Sequence, residues 1–305
     1  RNLCVWHSNA EKQFVRLDDI VTKGKEFTLT VAPNAVYTLS TTTGQQKGSY
    51  SAPESKPFPF PYYETFEQYE RPEQWGYLPL YTADICGAFE IADCPDKQGK
   101  CIRQVVSIPT ISWAPDWKHY SIIGDVAWTD YEVSADLYLN PEDAAGIMGR
   151  INDVGSGYGT IPKGYYLQLD ASGQCKLVVV RGKVDKKTLV GDAEQQAFIK
   201  NNNDESEGGE KVLASVELSH ISSEKWYNLK LRFKGNEITC FIDGKQVIKV
   251  EDVLYDHGMA GILAEKYKDR VSTPYFDNLR ITAVDETISK PNVASAHQIP
   301  IYLNK

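Results

Sequence analysis

The fold is decided by an alternating stretch, WYNLKLRF, at residues 226–233. Its apolar side chains recur at every second position, which is the pattern of a β-strand with one buried face. A second stretch, EITCFI at residues 237–242, follows and leads into Asp243-Gly244 and then QVI at residues 246–248. Asp-Gly between two alternating runs is a strong signal for a two-residue type I′ hairpin. The region therefore predicts consecutive antiparallel strands.

The same alternation continues outward along the chain. Comparable stretches, separated by turn residues, occupy residues 131–139, 165–169, 176–180 and 276–281. No segment keeps a helical period of apolar residues over three turns. We therefore predict an all-β fold with an antiparallel jelly roll over residues 62–283. Residues 284–305 are expected to form a C-terminal extension.

The first 50 residues contain short β-prone stretches that are too few to close a sandwich. The predicted strands are LCVW at 3–6, QFVRL at 13–17, FTLTV at 27–31 and VYTLS at 36–40. They either pair with strands outside the chain or join the sheet that follows. Alternate prolines at Pro57, Pro59 and Pro61 impose an extended backbone, so residues 51–61 are predicted to be a stiff linker.

The apolar side chains of the first 50 residues lack an opposing sheet if these strands belong to an incomplete sandwich. The residues expected to be exposed for this reason are Phe14, Val15, Phe27, Leu29, Val31, Val36 and Leu39. A patch of roughly several hundred Å² is unusual on a soluble monomer. We therefore expect a partner, either an N-terminal portion of the same protein or another copy of the chain.

Charge and composition exclude several classes of function. The chain has 33 Lys and Arg against 41 Asp and Glu, a net charge of −8 and a pI near 5.3. Without a basic stripe, neither a nucleic acid nor an anionic membrane is an expected partner. No apolar run approaches the ~20 residues that a transmembrane segment needs. The 18 tyrosines suit strands and carbohydrate-facing surfaces.

No catalytic residue can be assigned from the residues themselves. The chain lacks a glycine-rich nucleotide loop, a zinc-spacing cluster and a Gly-x-Ser-x-Gly elbow. Glycoside hydrolysis needs two carboxyl groups at a fixed separation. With 41 acidic residues, the sequence cannot nominate such a pair.

Two acidic segments predict a calcium site. YYETFE at residues 62–67 starts the jelly roll, and Phe276-Asp277-Asn278 starts its last strand. The first and last strands of a jelly roll are commonly neighbours, so these segments can offer several hard oxygen ligands to one Ca²⁺. The alternative is that they are charged strand ends facing water.

A tryptophan-containing loop is a candidate sugar-binding element. ISWAPDW at residues 111–117 places two tryptophans around a proline. Such rings line apolar pockets or stack on sugars. The alternative is that they fold back onto the sheet.

Cys94 and Cys101 bracket a polar, turn-rich loop. A disulfide there would pin the loop and imply an oxidising compartment. The alternative is two unpaired thiols.

The chain resembles the galactocerebrosidase (galactosylceramidase) family of glycoside hydrolases, in order from about residue 15 to residue 282. The junction YTLSTTTGQQKGSY at residues 37–50 is the most specific element of this resemblance. Further matching motifs are PFPFPY at 57–62, IRQVV at 102–106, SIIGD at 121–125, WTDY at 128–131 and FDN at 276–278. The cysteine loop at residues 94–101 is similar to bacterial members of the family.

The resemblance implies that residues 1–50 are the terminal strands of a β-sandwich and that residues 62–283 are a lectin-like, concanavalin-type domain. It implies a catalytic (β/α)₈ barrel outside this chain, which leaves no catalytic residue here. Trp113 corresponds to a tryptophan that lines the galactose pocket. The family's calcium ligands correspond to Thr65, Glu67, the Lys100 carbonyl and Asp277. Thr65 and Glu67 depart from the aspartate and asparagine of the animal enzymes, which redistributes the charge at the site.

These observations predict a non-catalytic C-terminal region of a retaining β-galactosidase that acts on galactosides or galactosylceramide-type glycolipids. The expected role is to line the substrate pocket and to stabilise the barrel. The principal alternative is a free-standing, calcium-containing lectin-like module. A self-sufficient jelly-roll hydrolase is a third possibility, but no paired acids on one central strand support it. A secreted, periplasmic or lysosome-like location is expected, with bacterial secretion favoured.

Overall fold

The computed structural model describes residues 2–46, 57–96, 98–108, 118–154, 162–180, 210–267 and 270–284. Within these ranges the chain forms twenty β-strands and one short 3₁₀ helix at Pro72–Trp75. The strands are β1 Asn2–Ser8, β2 Val15–Val21, β3 Val36–Ser40, β4 Tyr62–Glu64, β5 Thr82–Cys86, β6 Phe89–Asp93, β7 Lys100–Gln104, β8 His119–Ile123, β9 Tyr131–Tyr138, β10 Ala144–Asp153, β11 Lys163–Asp170, β12 Gln174–Val180, β13 Glu210–Glu217, β14 Trp226–Lys234, β15 Glu237–Ile242, β16 Lys245–Glu251, β17 Met259–Ala264, β18 Lys266–Tyr267, β19 Arg270–Val271 and β20 Tyr275–Ala283.

The chain divides into two compact units, Arg1–Pro57 and Phe58–Lys305. The described residues of both units are built from β-strands, which confirms the all-β prediction. The division falls within the segment that the prolines mark as a linker. None of the helices in the described ranges has the length and apolar character needed to span a bilayer.

The N-terminal unit is a three-stranded antiparallel sheet with the strand order β2-β1-β3. In the central strand, Trp6 lies opposite Arg16 of β2 and Thr38 of β3. β1 also contains the buried residues of this sheet, since Cys4, Val5 and Trp6 are 8%, 0% and 3% exposed. A small core therefore forms around the middle strand.

The predicted strand at residues 27–31 is wrong. This segment has no regular secondary structure, and Phe27 and Val31 are largely exposed. It lies in the connection between β2 and β3, which already occupy both edges of β1. A strand must pair its backbone N–H and C=O groups with a neighbour. Alternation of side chains does not supply such a neighbour, and this segment pairs with neither outer edge of the three-stranded sheet.

One side of the N-terminal sheet is apolar and open. Val5 lies opposite both Leu17 and Leu39, and these two leucines are 38% and 36% exposed. We call the row Leu17, Val5 and Leu39 the N-terminal apolar face. The predicted exposure is confirmed for Val15, Phe27, Val31, Val36 and Leu39, whereas Phe14 and Leu29 are half-buried.

The second unit is a β-sandwich of two antiparallel sheets. The seven-stranded sheet has the order β13-β12-β11-β10-β17-β8-β5. The eight-stranded sheet has the order β16-β15-β14-β9-β20-β7-β6, with β4 also paired to β20. Leu279 of β20 lies opposite Glu64 of β4. The first and last strands of this unit are therefore neighbours, as the sequence predicts.

The main core lies between the inner faces of these two sheets. Leu229 and Leu231 of β14 are fully buried there, as is Ile147 of β10. Burial of each such side chain stabilises the fold by about 1.5–3 kcal/mol. The predicted hairpin is also present, since Asp243 and Gly244 have φ of 49° and 75°, the positive values that a type I′ turn requires.

Arg150 links three loops at one end of the β-sandwich through hydrogen bonds. It lies at an irregularity of β10 and has φ of 49°, a local twist of the kind that re-aims a side chain. Its guanidinium is 1% exposed. It donates to the carbonyl oxygens of Thr129, Gly235 and Tyr255 at 3.1, 2.8 and 3.0 Å, and to Asp130 Oδ1 at 3.2 Å. One side chain thus joins three separate loops.

Candidate functional site

The predicted calcium ligands converge on a gap beside β20. That strand pairs with β9 on one edge, and its other edge is shared by β4, opposite residues 279–281, and β7, opposite residues 275–276. Asp277 lies between these two stretches. Thr65 directly follows β4, and Lys100 is the first residue of β7. Strand pairing therefore brings these three positions to one place.

Glu67 reaches the same gap through its side chain. Its Oε1 accepts a hydrogen bond from the backbone N–H of Lys100 at 3.1 Å. A Cβ atom on Gly99 would stand 2.3 Å from that oxygen, and Gly99 has φ of 113°. The carboxylate can approach the start of β7 because this position is a glycine.

Asp277 is 4% exposed and lies directly opposite Asp136 of β9. Like charges facing each other across a sheet are destabilising. The two oxygens of Asp136 accept hydrogen bonds from the side-chain amides of Asn228 and Asn278, at 2.8 and 2.7 Å. Asp277 Oδ1 accepts one from the backbone N–H of Asn278 at 2.6 Å. A cation beside Asp277 would relieve the remaining repulsion.

The donor set suits a hard cation. The carboxylates of Glu67 and Asp277, the Thr65 hydroxyl and the Lys100 carbonyl are all oxygen ligands, which Ca²⁺ prefers. The part of the chain that the structure describes holds no group of three or more His, Cys, Asp and Glu side chains placed to bind a metal. This set contains only two such side chains. The residues fit calcium by their chemistry, and the ion itself stays a prediction.

Cys94 and Cys101 lie on the hairpin formed by β6 and β7. Ala92 pairs with Cys101, and the backbone N–H of Cys94 donates to the Gly99 carbonyl at 3.1 Å. The two cysteines are thus diagonal neighbours on one face of the hairpin, and both are buried. The bridge between them stays a prediction.

Trp113 and the rest of the tryptophan loop lie outside the described residues, because the structure describes the chain up to residue 108 and again from residue 118. The role of Trp113 as a sugar-lining residue therefore stays a prediction as well.

A polar network that the sequence analysis missed lies on the outer face of the seven-stranded sheet. Lys118 Nζ forms ion pairs with Glu265 and, at 2.7 Å, with Glu210. Gln168 Nε2 donates to Glu265 Oε1 at 2.5 Å. The Lys118 ammonium lies 6.0 Å from the centroid of the Tyr166 ring. We call these five residues the front-face network.

The ion pair between Lys118 and Glu210 shows that this face is concave. Glu210 begins β13, the first strand of the sheet order, whereas Lys118 directly precedes β8, the sixth. In a flat sheet, five spacings of about 4.8 Å would separate those strands. Direct contact across that span requires the sheet to curve around the network, so the outer face forms a cradle.

Lys118 is held as a buried cation. Its side chain is 10% exposed, and those of Glu265 and Glu210 are 15% and 37% exposed. Burial lowers the pKa of Lys118, but the two carboxylates outweigh it, so the pKa is raised above its ordinary value. Because the folded-state pKa is raised, this stabilisation is present at neutral pH. It is lost only as the pH rises beyond the ordinary lysine pKa of 10.5.

An apolar floor underlies the front-face network. This second buried cluster, separate from the main core, consists of Cys86, Tyr120, Met148, Ile151, Tyr166, Val178, Val180 and Leu263. Its members are at most 6% exposed, so the polar network above the floor, and not the floor itself, would contact a ligand. In the network, Lys118 donates, the two glutamates accept and Gln168 does both. The arrangement can therefore hold hydroxyl groups, which also donate and accept.

Sequence reasoning missed this network because its members are single polar residues far apart in the chain. Lys118, Gln168 and Glu265 each stand in a strand-like context where a polar residue usually faces water. One signal was present in the sequence. YYLQL at residues 165–169 and KLVVV at residues 176–180 are apolar at nearly every position, which indicates strands that are buried on both faces.

Two packed antiparallel sheets, one with a concave outer face that carries a buried polar network, define the second unit as a lectin-like β-sandwich. Residues 84–197 match the sequence family described as "Galactocerebrosidase, C-terminal lectin domain". Together with the similarity to galactocerebrosidases over most of its length, this match supports a galactocerebrosidase-like C-terminal region.

The similarity to known proteins covers most of this chain and a smaller part of its relatives. Galactocerebrosidase from Canis lupus familiaris is 27% identical over 296 residues, which cover 92% of this chain and 39% of that protein. Galactocerebrosidase from Mus musculus is 30% identical over 264 residues, or 84% and 34%. The carbohydrate-binding module CBM66 from Bacillus subtilis has a TM-score of 0.43 at 17% identity, covering 67% of this chain and 96% of the module. The chain thus spans 34% to 39% of the length of these two galactocerebrosidases.

Proposed function

We propose that this chain is the non-catalytic, carbohydrate-binding C-terminal region of a retaining β-galactosidase that acts on galactosides or galactosylceramide-type glycolipids. The match to a lectin-domain family and the similarity to galactocerebrosidases support the proposal. The observation that carries the binding role is the front-face network in its concave cradle. Catalysis would belong to a barrel outside this chain, which supplies the acid/base and nucleophile carboxylates.

In this proposal, sugar hydroxyls bind at the front-face network. Glu265 accepts one hydrogen bond on each oxygen, from Lys118 and from Gln168. An ionised carboxylate has about four acceptor sites, so Glu265 retains capacity for a ligand. Glu210 is 37% exposed and offers a second carboxylate. With one cation and two anions, the face favours neutral sugars over acidic ones, because a carboxylated ligand would be repelled.

Replacing Glu265 by glutamine should weaken the binding of methyl β-galactoside by about tenfold or more. The substitution removes a charged acceptor, and a hydrogen bond to a charged group contributes about 1.5–3 kcal/mol. Isothermal titration of the whole chain measures the effect.

The matched control is Glu132→Gln on the outer face of the other sheet. Glu132 is a buried carboxylate with two cationic partners, Lys230 and Arg232. Its replacement should leave the affinity unchanged. Equal losses in the two variants, or no titratable binding by the parent chain, would contradict the assignment of the sugar to the front face.

The alternative is a free-standing, calcium-containing lectin-like module. A substitution at Trp113 distinguishes this alternative from the leading proposal. In the leading proposal Trp113 lines a pocket that the barrel completes. Trp113→Ala then leaves sugar binding by this chain unchanged and lowers hydrolysis only when the barrel is present. In the alternative, the same substitution abolishes glycan-array binding by this chain alone.

Calcium should stabilise the second unit through Thr65, Glu67, the Lys100 carbonyl and Asp277. At a hundredfold excess over its Kd, a ligand specific to the folded state adds about 2.7 kcal/mol to the free energy of unfolding. We expect Ca²⁺ to raise the melting temperature and EGTA to reverse the rise. Asp277→Asn should abolish the response.

The control for the calcium experiment is Asp93→Asn. Asp93 lies on the neighbouring hairpin, but its side chain is 84% exposed and pairs with the Lys100 ammonium at 2.6 Å. Its replacement should leave the calcium response intact. A melting temperature that is insensitive to calcium and EGTA in the parent chain would refute the site.

The N-terminal apolar face is proposed to dock onto the barrel portion of the same protein or onto another copy of the chain. Its row of Leu17, Val5 and Leu39 leaves two leucines open to solvent. Light scattering across a range of concentrations tests this. A chain that stays monomeric and gains nothing from addition of the barrel portion would argue against such docking.

A disulfide between Cys94 and Cys101 belongs to the same proposal, together with a secreted, periplasmic or lysosome-like location. Both cysteines are buried on one face of the β6–β7 hairpin. A bridge there is stable only in an oxidising compartment. Intact mass before and after reduction distinguishes the bridge, which lacks two hydrogens, from two thiols.

A further inference from the structure

The N-terminal unit contains a shallow cavity of about 550 Å³ that the proposed function does not use. Its lining includes Asn9, Gln13, Phe14, Asn34, Val36 and Gln46. None of the lining residues that the structure describes carries a charge. The volume lies within the ~300–1,000 Å³ that is common for small-molecule sites. The cavity therefore combines an aromatic ring with several carboxamides.

The cavity opens on the side of the sheet opposite the N-terminal apolar face. Ser8, which also lines it, lies opposite Val36 in the pairing of β1 with β3. Because side chains alternate along a strand, Ser8 shares a face with Trp6 and not with Val5. A partner bound to the N-terminal apolar face would therefore leave the cavity open.

The aromatic wall of the cavity is preorganised. The Phe14 ring stacks on Trp6 with a centroid distance of 5.6 Å and an interplanar angle of 19°. Phe14 has φ of 53°, a conformation that costs a non-glycine residue about 1–3 kcal/mol. Its backbone N–H donates to Ser8 Oγ at 2.8 Å. Asn9 Oδ1 accepts the backbone N–H of Lys12 at 2.8 Å, which holds the preceding turn.

The carboxamides supply both hydrogen-bond donors and hydrogen-bond acceptors. Each has an NH₂ donor and a carbonyl acceptor. Among the described residues, the side chains of Asn34 and Gln46 have no hydrogen-bond partner, and both line the cavity. A sugar hydroxyl also donates and accepts, so carboxamides match it without any charge. An ionic ligand would find no countercharge among the described side chains of the lining.

We propose that this cavity is a second carbohydrate subsite, which takes an uncharged sugar residue against Phe14 and bonds its hydroxyls through Asn34, Gln46 and Gln13. An extended peptide is a less suitable occupant. Peptides commonly bind by adding a strand to a sheet edge, whereas the walls here are mostly side chains of the connections at one end of the sheet. The subsite is independent of the front-face network, which belongs to the other unit.

The test monitors the Trp6 indole N–H signal by NMR during titration with methyl β-galactoside and methyl β-glucoside. Trp6→Phe identifies the signal, and a Glu265→Gln background weakens the front-face contribution. At least one glycoside should shift the signal. Asn34→Asp, which keeps the shape and tolerates the φ of 54° at this position, should weaken that response by about tenfold, as expected for the loss of one good hydrogen bond.

Asn2→Asp makes the same chemical change at an exposed residue of the same unit and should have no effect on the titration. The proposal is overturned if neither glycoside shifts the Trp6 signal, if Asn34→Asp leaves the response unchanged, or if only an extended peptide produces it. Because the Trp6 signal reports on the N-terminal unit and the front-face network belongs to the other unit, failure here leaves the main proposal standing. A glycoside-dependent shift of the Trp6 signal would support the subsite whether or not the main proposal is correct.

Discussion

Replacing Arg150 by methionine should lower the free energy of unfolding by about 3 kcal/mol or more. The guanidinium is 1% exposed and serves the carbonyl oxygens of Thr129, Gly235 and Tyr255. Methionine fills similar volume but donates no hydrogen bond, so these acceptors lose their partner. A buried polar group without a partner costs about 1–3 kcal/mol. Urea denaturation measures the loss.

Arg232→Met is the matched control for Arg150. The Arg232 side chain is 30% exposed and pairs with Glu132 on a sheet surface. Glu132 is buried but keeps a second cationic partner, Lys230, so the midpoint of unfolding should move far less than in Arg150→Met. Arg150→Lys should fall between the two variants, because a lysine keeps the charge but cannot reach three separate carbonyls. Similar losses for Arg150→Met and Arg232→Met would contradict the anchoring role.

Lys118→Met should have the second largest effect, a loss of about 2–3 kcal/mol of stability. It leaves the carboxylates of Glu265 and Glu210 beside each other without the cation that joins them. Glu265 is 15% exposed, so water cannot replace the ammonium fully, whereas Glu210 at 37% exposure is partly solvated. Sugar binding should be lost together with the network. Denaturation and titration on the same sample measure both.

The double variant Lys118→Met, Glu265→Met separates stability from function. A buried ion pair can often be replaced by apolar side chains without a loss of stability. We therefore expect the double variant to recover at least half of the stability lost in Lys118→Met and still fail to bind sugar. Recovery of binding would show that the network only supports the fold. A double variant less stable than the single one would show that Gln168 and the cradle depend on Glu265 for their structure.

Much of the β-sandwich can be predicted from local pattern. The alternation at residues 226–233 and 237–242 yields β14 and β15, and Asp243-Gly244 adopts the positive φ values of the predicted turn. The same reasoning is wrong at residues 27–31. Alternation reports which face of a segment is apolar, but a strand also needs a paired neighbour, and residues 27–31 pair with neither β2 nor β3.

The candidate sites, like the fold, include one part that the sequence pattern predicts and another part that it does not. The positions of Thr65 and Asp277 could be proposed together because the first and last strands of a jelly roll are neighbours, and β4 does pair with β20. Glu67 joins them through a side-chain bond to the Lys100 backbone. No comparable rule connects Lys118 to Glu265, since their contact depends on β8 and β17 being adjacent in the seven-stranded sheet.

The amino-acid sequence by itself determined the all-β class, the hairpins and the excess of apolar side chains in the first 50 residues. Each of these features follows from residues that are close together in the chain. Only the tertiary structure decided which polar residues meet: the front-face network, the Arg150 anchor and the amide-lined cavity. Those contacts join segments that strand order and sheet curvature bring together. Strand order and curvature are properties of the whole fold, and no local window of sequence contains them.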